Sequence, residues 1–210
     1  MTDRSCIFVF IIQSVMTKGE ETRQFIIERS APIFNTRGIA ATAMSDIMEA
    51  TKLSKGSLYV HFENKDVLAG AAVDYNMEKL AKKVMAALSR HKNAKDKLFA
   101  YADAFNDPMQ PLVTGGCPMM NFGMEADDTN EMVRIKVNGA IEMSQQVIID
   151  IAKAGVKEGT FKPDWNYKEF ATMMFAMIEG GIMISRVAGN NSKMKIITRN
   201  LKKMITEQVI

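Results

Sequence analysis

Apolar residues recur at helical spacing early in the chain: Phe25, Ile26, Ile27, Ile33 and Phe34 mark one face, and Gly38 follows where a helix would end. The spacing predicts a first helix of about fifteen residues beginning near Thr22. Thr42 is placed to N-cap a second helix, with Asp46 in its first turn and Met44, Ile47 and Met48 turned towards a core. The intervening TKLS keeps that helix short. Ser54 then caps a third helix over SKGSLYV, in which Leu58 faces inward while Lys55, Ser57 and Tyr59 stay free. Asn64 caps a fourth, longer helix, KDVLAGAAVDYNMEKLAKKVMAAL. In all, the pattern after residue 64 predicts helices over 65–89, 94–107, 118–126, 130–156, 166–188 and 192–208, with Pro108, Pro111, Gly115 and Gly116 breaking the middle. The fold class is all-α, without repeats or low-complexity tracts.

Composition sets the scale. With 210 residues, 47% of them apolar and 24% charged, the chain suffices for one large or two small domains with an ordinary core. A formal net charge of +3 is too small for a polyanion-binding surface everywhere, so any nucleic-acid contact must rest on a local patch. Cys6 and Cys117 make no disulfide framework and have no CxxC neighbour, which fits a reducing cytoplasm. The run Cys6–Ile12 behind Arg4 sits at the short limit for a signal peptide and has no A-x-A site after it. It falls well short of the roughly 20 apolar residues of a membrane span, so no membrane partner is expected. Residues 1–15 read as an upstream extension, with Met16 as the working start and MTKGEETRQFII leading into the first helix.

Two short helices joined by a tight turn, the second bearing small and polar side chains, form a helix-turn-helix arrangement. The second helix of such a pair enters a major groove about 12 Å wide, which favours small residues where backbone nears DNA and hydrogen-bonding residues at bases and phosphates. Between Lys52 and Lys65, three lysines stand against Glu63, a local charge of +2, whereas residues 17–66 balance at seven basic and seven acidic. The run TRQFIIERSAPIFNTRGIAATAMSDIMEATKLSKGSLYVHFENKDVL resembles the DNA-binding domain of the TetR/AcrR family of bacterial transcriptional regulators, most specifically in LSKGSLYVHFENK. One departure is Lys52, where the family usually has glycine in the turn; a lysine forced left-handed there costs about 1–2 kcal/mol.

The resemblance implies a DNA-binding domain over 16–66 and a helical ligand-binding and dimerisation domain over 67–210, with double-stranded operator DNA, a small-molecule inducer and a second copy of the chain as partners. Lys55 and Ser57 are expected to touch the groove, and Thr42, Tyr59 and Lys65 the phosphate backbone, with Lys52, Ser54, Gly56 and His61 completing the surface. Leu58 and Phe62 are core. Two-fold symmetry predicts an inverted-repeat operator with half-sites about 34–36 Å apart or a multiple of that. Dimerisation is expected through the last two long helices. Ala176, Gly180, Gly181 and Ser185 allow close approach in one, and Met194, Ile197, Leu201, Met204 and Ile205 form a stripe in the other. Met119, Met120, Phe122, Met124, Met173, Met174 and Met177, with Trp165, are candidates to line an adaptable apolar cavity.

No HExxH, GxSxG, Walker loop or dinucleotide fingerprint occurs, no cofactor is implied, and a thiol enzyme pairing Cys117 with His61 or His91 is a remote alternative. Glu125, Asp127 and Asp128 read as a solvated loop rather than a metal site. In GGCPMM, Pro118 suits the first position of a helix and Cys117 its N-cap, where amide dipoles favour a thiolate. An electrophile- or redox-sensing repressor acting through Cys117 is therefore the alternative to a reversible apolar inducer. Cys6 offers it no convincing resolving partner.

Overall fold

The computed structural model describes residues 16–210, so the expectations for the leader and for Cys6 lie outside the described residues. These residues form nine helices, in order α1 (Lys18–Arg37), α2 (Met44–Thr51), α3 (Lys55–His61), α4 (Lys65–Leu88), α5 (Ala94–Asp103), α6 (Pro118–Ala126), α7 (Glu131–Lys157), α8 (Tyr167–Ala188) and α9 (Ser192–Thr206). The all-α expectation holds.

Caps explain most boundaries. Thr17 and Glu20 form a reciprocal capping box, so α1 begins earlier than its apolar stripe. Ser54 and Asn64 accept the amides of Ser57 and Val67, as their positions predict. Thr42 is not the cap of α2. Ala43 is, and its N–H donates to Asp46. Helix α5 stops at Asp103, short of the predicted 107.

Helix α4 packs along α1 and then continues among α5, α6 and α7, so one helix belongs to both halves. Asn76 on α4, 1% exposed, donates to the Ala31 carbonyl of α1. At the far end, α8 lies between α7 and α9. Its small residues divide between two faces. A Cβ on Gly181 would come within 2.5 Å of Met194 Sδ, and Ser185 Oγ accepts the Met194 amide, so these two let α9 close on α8 within one protomer. Gly180 has nothing within 4 Å of its missing side chain and faces outward.

The expected dimer stripe of α9 is thereby corrected: Met194, Leu201 and Ile205 are all 0% exposed inside a single chain. What stays uncovered is an α8 row at heptad-like spacing, Met173, Ala176, Gly180, Met183 and Val187, and Ile196 of α9 is exposed as well. That row helps give α8 a mean hydropathy of 1.3, long and apolar enough to cross a membrane by length and composition, although α7 and α9 flank it.

The chain end is stitched back. Lys162 N–H donates to the Gln208 carbonyl and Ile210 N–H to that of Thr160, around a Phe161–Val209 bridge. Phe161 lies so close to α7 that a Cβ on Gly155 would stand 2.4 Å from its ring.

Candidate nucleic-acid interface and ligand cavity

The turn between α2 and α3 holds itself. Thr51 Oγ donates to the Ile47 carbonyl at 2.7 Å and accepts from Leu53 N–H at 3.3 Å. Lys52 adopts φ 59°, ψ 21°, the left-handed conformation in which an L side chain is strained. The chain therefore accepts the strain anticipated from its sequence. Leu58, at 0% exposure, and Phe62, at 2%, anchor α3 below, and the Arg23 guanidinium sits 4.8 Å above the Phe62 ring.

Above this floor Lys52, Ser54, Lys55, Gly56 and Tyr59 are exposed, while Ser57 and His61 are half-buried. The Lys55 ammonium rests 5.8 Å from the Tyr59 ring centroid. Gly56 has no neighbour within 4 Å that a side chain would strike. A helical glycine costs about 1 kcal/mol against alanine, and no contact among the described residues requires it. Val60, 80% exposed, was missed by sequence reasoning. It is the one large apolar side chain of α3 turned fully outward, suited to an apolar contact such as a thymine methyl.

Two expected backbone contacts are corrected. Thr42 is 0% exposed, with its hydroxyl donating to the Gly38 carbonyl at 2.6 Å, so it has no surface to offer a phosphate. The Lys65 ammonium donates to the carbonyls of Ile39 at 2.9 Å, Thr42 at 3.1 Å and Ala40 at 3.5 Å. Its donors are thus spent on the α1–α2 turn. The amides of that turn are gripped from the other side. Glu125 of α6 accepts Ile39 N–H at 2.8 Å and Ala40 N–H at 2.7 Å, one on each carboxylate oxygen. Glu125 is thus a bridge between the two halves and not part of a solvated loop. No cluster of metal-ligating groups occurs among the described residues.

A second bridge runs through the loop before α6. Asn35 of α1 donates to the carbonyls of Thr114 at 2.7 Å and Gly116 at 3.2 Å, and Asn121 of α6 donates to the Asn35 carbonyl. Arg186 of α8 donates to the carbonyls of Pro108 and Gly115. A Cβ on Gly115 would lie 2.8 Å from the Asn35 carbonyl oxygen, which fixes glycine there.

A mostly apolar cavity of about 470 Å³ lies among α4, α5, α6 and α7, with Met77, Val84, Tyr101, Phe105, Met119 and Met143 in its wall. Ser144, Tyr101 and Glu78 are polar members of its lining, and a Lys136–Asp74 pair 2.6 Å apart also belongs to it. Burial pushes the Tyr101 hydroxyl pKa well up, so it remains a phenol. Across Met119 a second groove of about 390 Å³ is lined by Met119, Met120, Met124, Val137, Ile141, Phe175 and Glu179, with Asp127, Arg134 and Asn138 also in its wall.

Of the residues expected at a cavity, Met119 lines both spaces, and Met120 and Met124 only the groove. Phe122 and Met174 are 0% exposed core, and half-buried Met177 lines neither space. Met173 faces outward at 42% exposure. Trp165 stacks between Phe161 and Phe170, with ring centroids 4.8 and 5.0 Å away, over a separate depression.

Cys117 is the N-cap of α6 with Pro118 at the first position, as the sequence suggests, but the thiolate expected there does not follow. The residue is 5% exposed and touches only a crevice of about 20 Å³. Its Sγ donates to Glu179 Oε1 at 3.1 Å. Burial first, and then the Glu179 charge, push the thiol pKa well up, against the dipole effect. Burial likewise pushes Glu179 up to about 6.

Comparison with known proteins agrees with this architecture. Residues 26–72 match a family profile described as bacterial regulatory proteins, tetR family, and residues 94–201 one described as the tetracyclin repressor-like C-terminal domain. A TetR-family transcriptional regulator from Cytophaga hutchinsonii superposes with a TM-score of 0.89 at 36% identity, over 93% of this chain and 98% of that one. A TetR regulator from Chloroflexus aurantiacus gives 0.88 at 37% identity, over 92% and 98%. The transcriptional repressor DhaR of a Mycobacterium species is 23% identical over 168 residues, 80% of this chain and 84% of its own length.

Proposed function

Since the chain belongs to the TetR family of bacterial transcriptional regulators, we propose that it represses transcription as a homodimer on an inverted-repeat operator and leaves when a small molecule enters its helical body. Membership makes it a DNA-binding regulator and not an enzyme. Operator binding would place it beside the chromosome, in the cytoplasm.

The observation that carries this reading is the grip on the α1–α2 turn. Glu125 of α6 and Lys65 of α4 hold the amides and carbonyls of the short turn that leads into α2, and both helices also wall the 470 Å³ cavity. A ligand that displaces Met119 tilts α6, and Glu125, six residues or about 9 Å further along the same helix, carries that tilt into the turn. Lys52, Ser54, Lys55, Gly56, Ser57, Tyr59 and His61 are the residues proposed to meet DNA, with Val60 added. The uncovered α8 row supports dimerisation through that face.

Burial of Cys117 as a thiol disfavours the electrophile-sensing alternative. The test is a mobility-shift titration of the full chain on the DNA upstream of its own gene, repeated with compounds that raise its melting temperature. Binding to one symmetric site, lost on adding such a compound, supports the reading. Absence of any sequence-dependent shift sinks it.

A further inference from the structure

Glu179 has no evident structural employment. It sits on α8 in the wall of the 390 Å³ groove, and among the described residues its only hydrogen-bond partner is the weakly donating thiol of Cys117, on Oε1. Its Oε2 is shut off from solvent and has no partner among the described residues. Among the described residues no Lys, Arg or His nitrogen comes within 4 Å of it. Arg186, two turns along the same helix, is spent on the Pro108 and Gly115 carbonyls. Arg134, at the groove, has Glu131 as its carboxylate. A buried carboxylate without a cation is costly, and proteins normally pair it. Glutamine or methionine would fill the same space without the charge.

The surroundings indicate what completes it. Phe175 lies one turn before Glu179 on the same face of α8, so its ring and the carboxylate address one volume. Met119, Met120 and Met124 thioethers with Val137 and Ile141 give the wall a soft, apolar part, and Asp127, Arg134 and Asn138 are its other polar members. Met124 is 74% exposed and Met120 half-buried, so this wall can yield to open a way to Oε2. An aromatic face, thioethers and a carboxylate that lacks a cation are the complement of a positive charge carried on alkyl groups.

We propose that the groove between α6, α7 and α8 binds a monovalent organic cation with an apolar body, an alkyl- or arylalkylammonium, with Glu179 as its counter-ion. This deepens the ligand-responsive reading and rests on it. Three of the groove's methionines sit on α6, the helix whose Glu125 grips the DNA-binding half.

The test uses the full chain and two probes of matched shape, benzyltrimethylammonium and its neutral carbon analogue neopentylbenzene, titrated calorimetrically and followed by melting temperature. The cation is expected to bind at least tenfold more tightly than the analogue. Glu179→Gln, which keeps the shape and an oxygen for Cys117, is expected to cost the cation at least tenfold and the analogue nothing. Phe175→Leu, which keeps bulk and removes the aromatic face, is expected to weaken the cation several-fold and so tests the site without touching the carboxylate. Glu158→Gln, exposed at the end of α7 and lining neither space, is expected to change nothing. Equal affinity of the two probes, an unaltered Glu179→Gln titration, or no binding of the cation overturns the inference. Binding of the analogue alone overturns it while leaving the ligand-binding reading intact. Glu179-dependent binding that leaves operator DNA bound supports the site and instead removes this ligand as the inducer.

Discussion

The two turns of the DNA-binding half are built in opposite ways. Between α2 and α3, Thr51, Lys52 and Ser54 satisfy the backbone from within the segment, and even the left-handed strain at Lys52 is borne locally. Between α1 and α2, the amides and carbonyls of Ile39 and Ala40 are held from outside, by Glu125 and Lys65 of helices that reach into the body. The shape of the reading unit is therefore a local property, while its placement is a property of the whole protomer. A repressor needs both: a rigid reader, and a mounting that a distant event can shift.

Breaking the mounting should have the largest effect. Glu125→Ala removes two charge-assisted hydrogen bonds and is expected to destabilise the protein by roughly 3 kcal/mol, measured by urea denaturation, and to weaken operator binding. A small loss in both would mean that the turn holds itself after all.

Lys65→Met sharpens the same contrast, at a cost of about 2 kcal/mol. Because its ammonium is engaged by carbonyls, operator affinity is expected to fall with no change in salt dependence. A phosphate contact would instead lower the slope by about one.

The body offers a pH-dependent counterpart. Glu179 rises from 4.5 to about 6 on folding, so its contribution favours the folded state fully below 4.5 and is lost as pH climbs through 6. Relative to Glu179→Gln, the wild type should lose about 2 kcal/mol of stability between about pH 4 and pH 7, at 1.36 kcal/mol per unit. Parallel stability curves for the two proteins would contradict burial as the cause.

Lys52→Gly probes the self-contained turn and carries the smallest expected change. Relief of the positive φ should stabilise the protein by about 1 kcal/mol, while operator binding loses about one unit of salt slope. Destabilisation would show that the lysine stem packs where glycine cannot.

The same division governs what the sequence reveals. Ser54 and Asn64 act on amides three residues away, and Leu58 and Phe62 follow helical period, so the all-α class and the reading unit are legible from neighbours alone. Lys65 and Thr42 read as phosphate contacts because their type and place fit. The partners that claim Lys65 lie 23–26 residues back, and the packing that buries Thr42 is equally unwritten locally. Cys117 reads as a helix-cap thiolate, and only the fold brings Glu179, 62 residues on, against it. Methionine stripes look alike whether they face a core, a cavity or a second copy. For that reason Met174, Met119 and Met173 could not be told apart, and the α9 stripe was assigned to the wrong neighbour.

The bonds joining Lys162 to Gln208 and Thr160 to Ile210 turn the last quarter of the chain into a closed ring, with α8 and α9 as its sides and a handful of residues outside any helix as its clasp. A ring of this kind opens as a unit rather than fraying from its end, so α8 and α9 should share one opening free energy in amide exchange. Residues appended to Ile210 would start at the clasp itself, beside Phe161 and Trp165. A fusion or a short truncation there would act on the clasp that ties the segment before α8 to the end of α9.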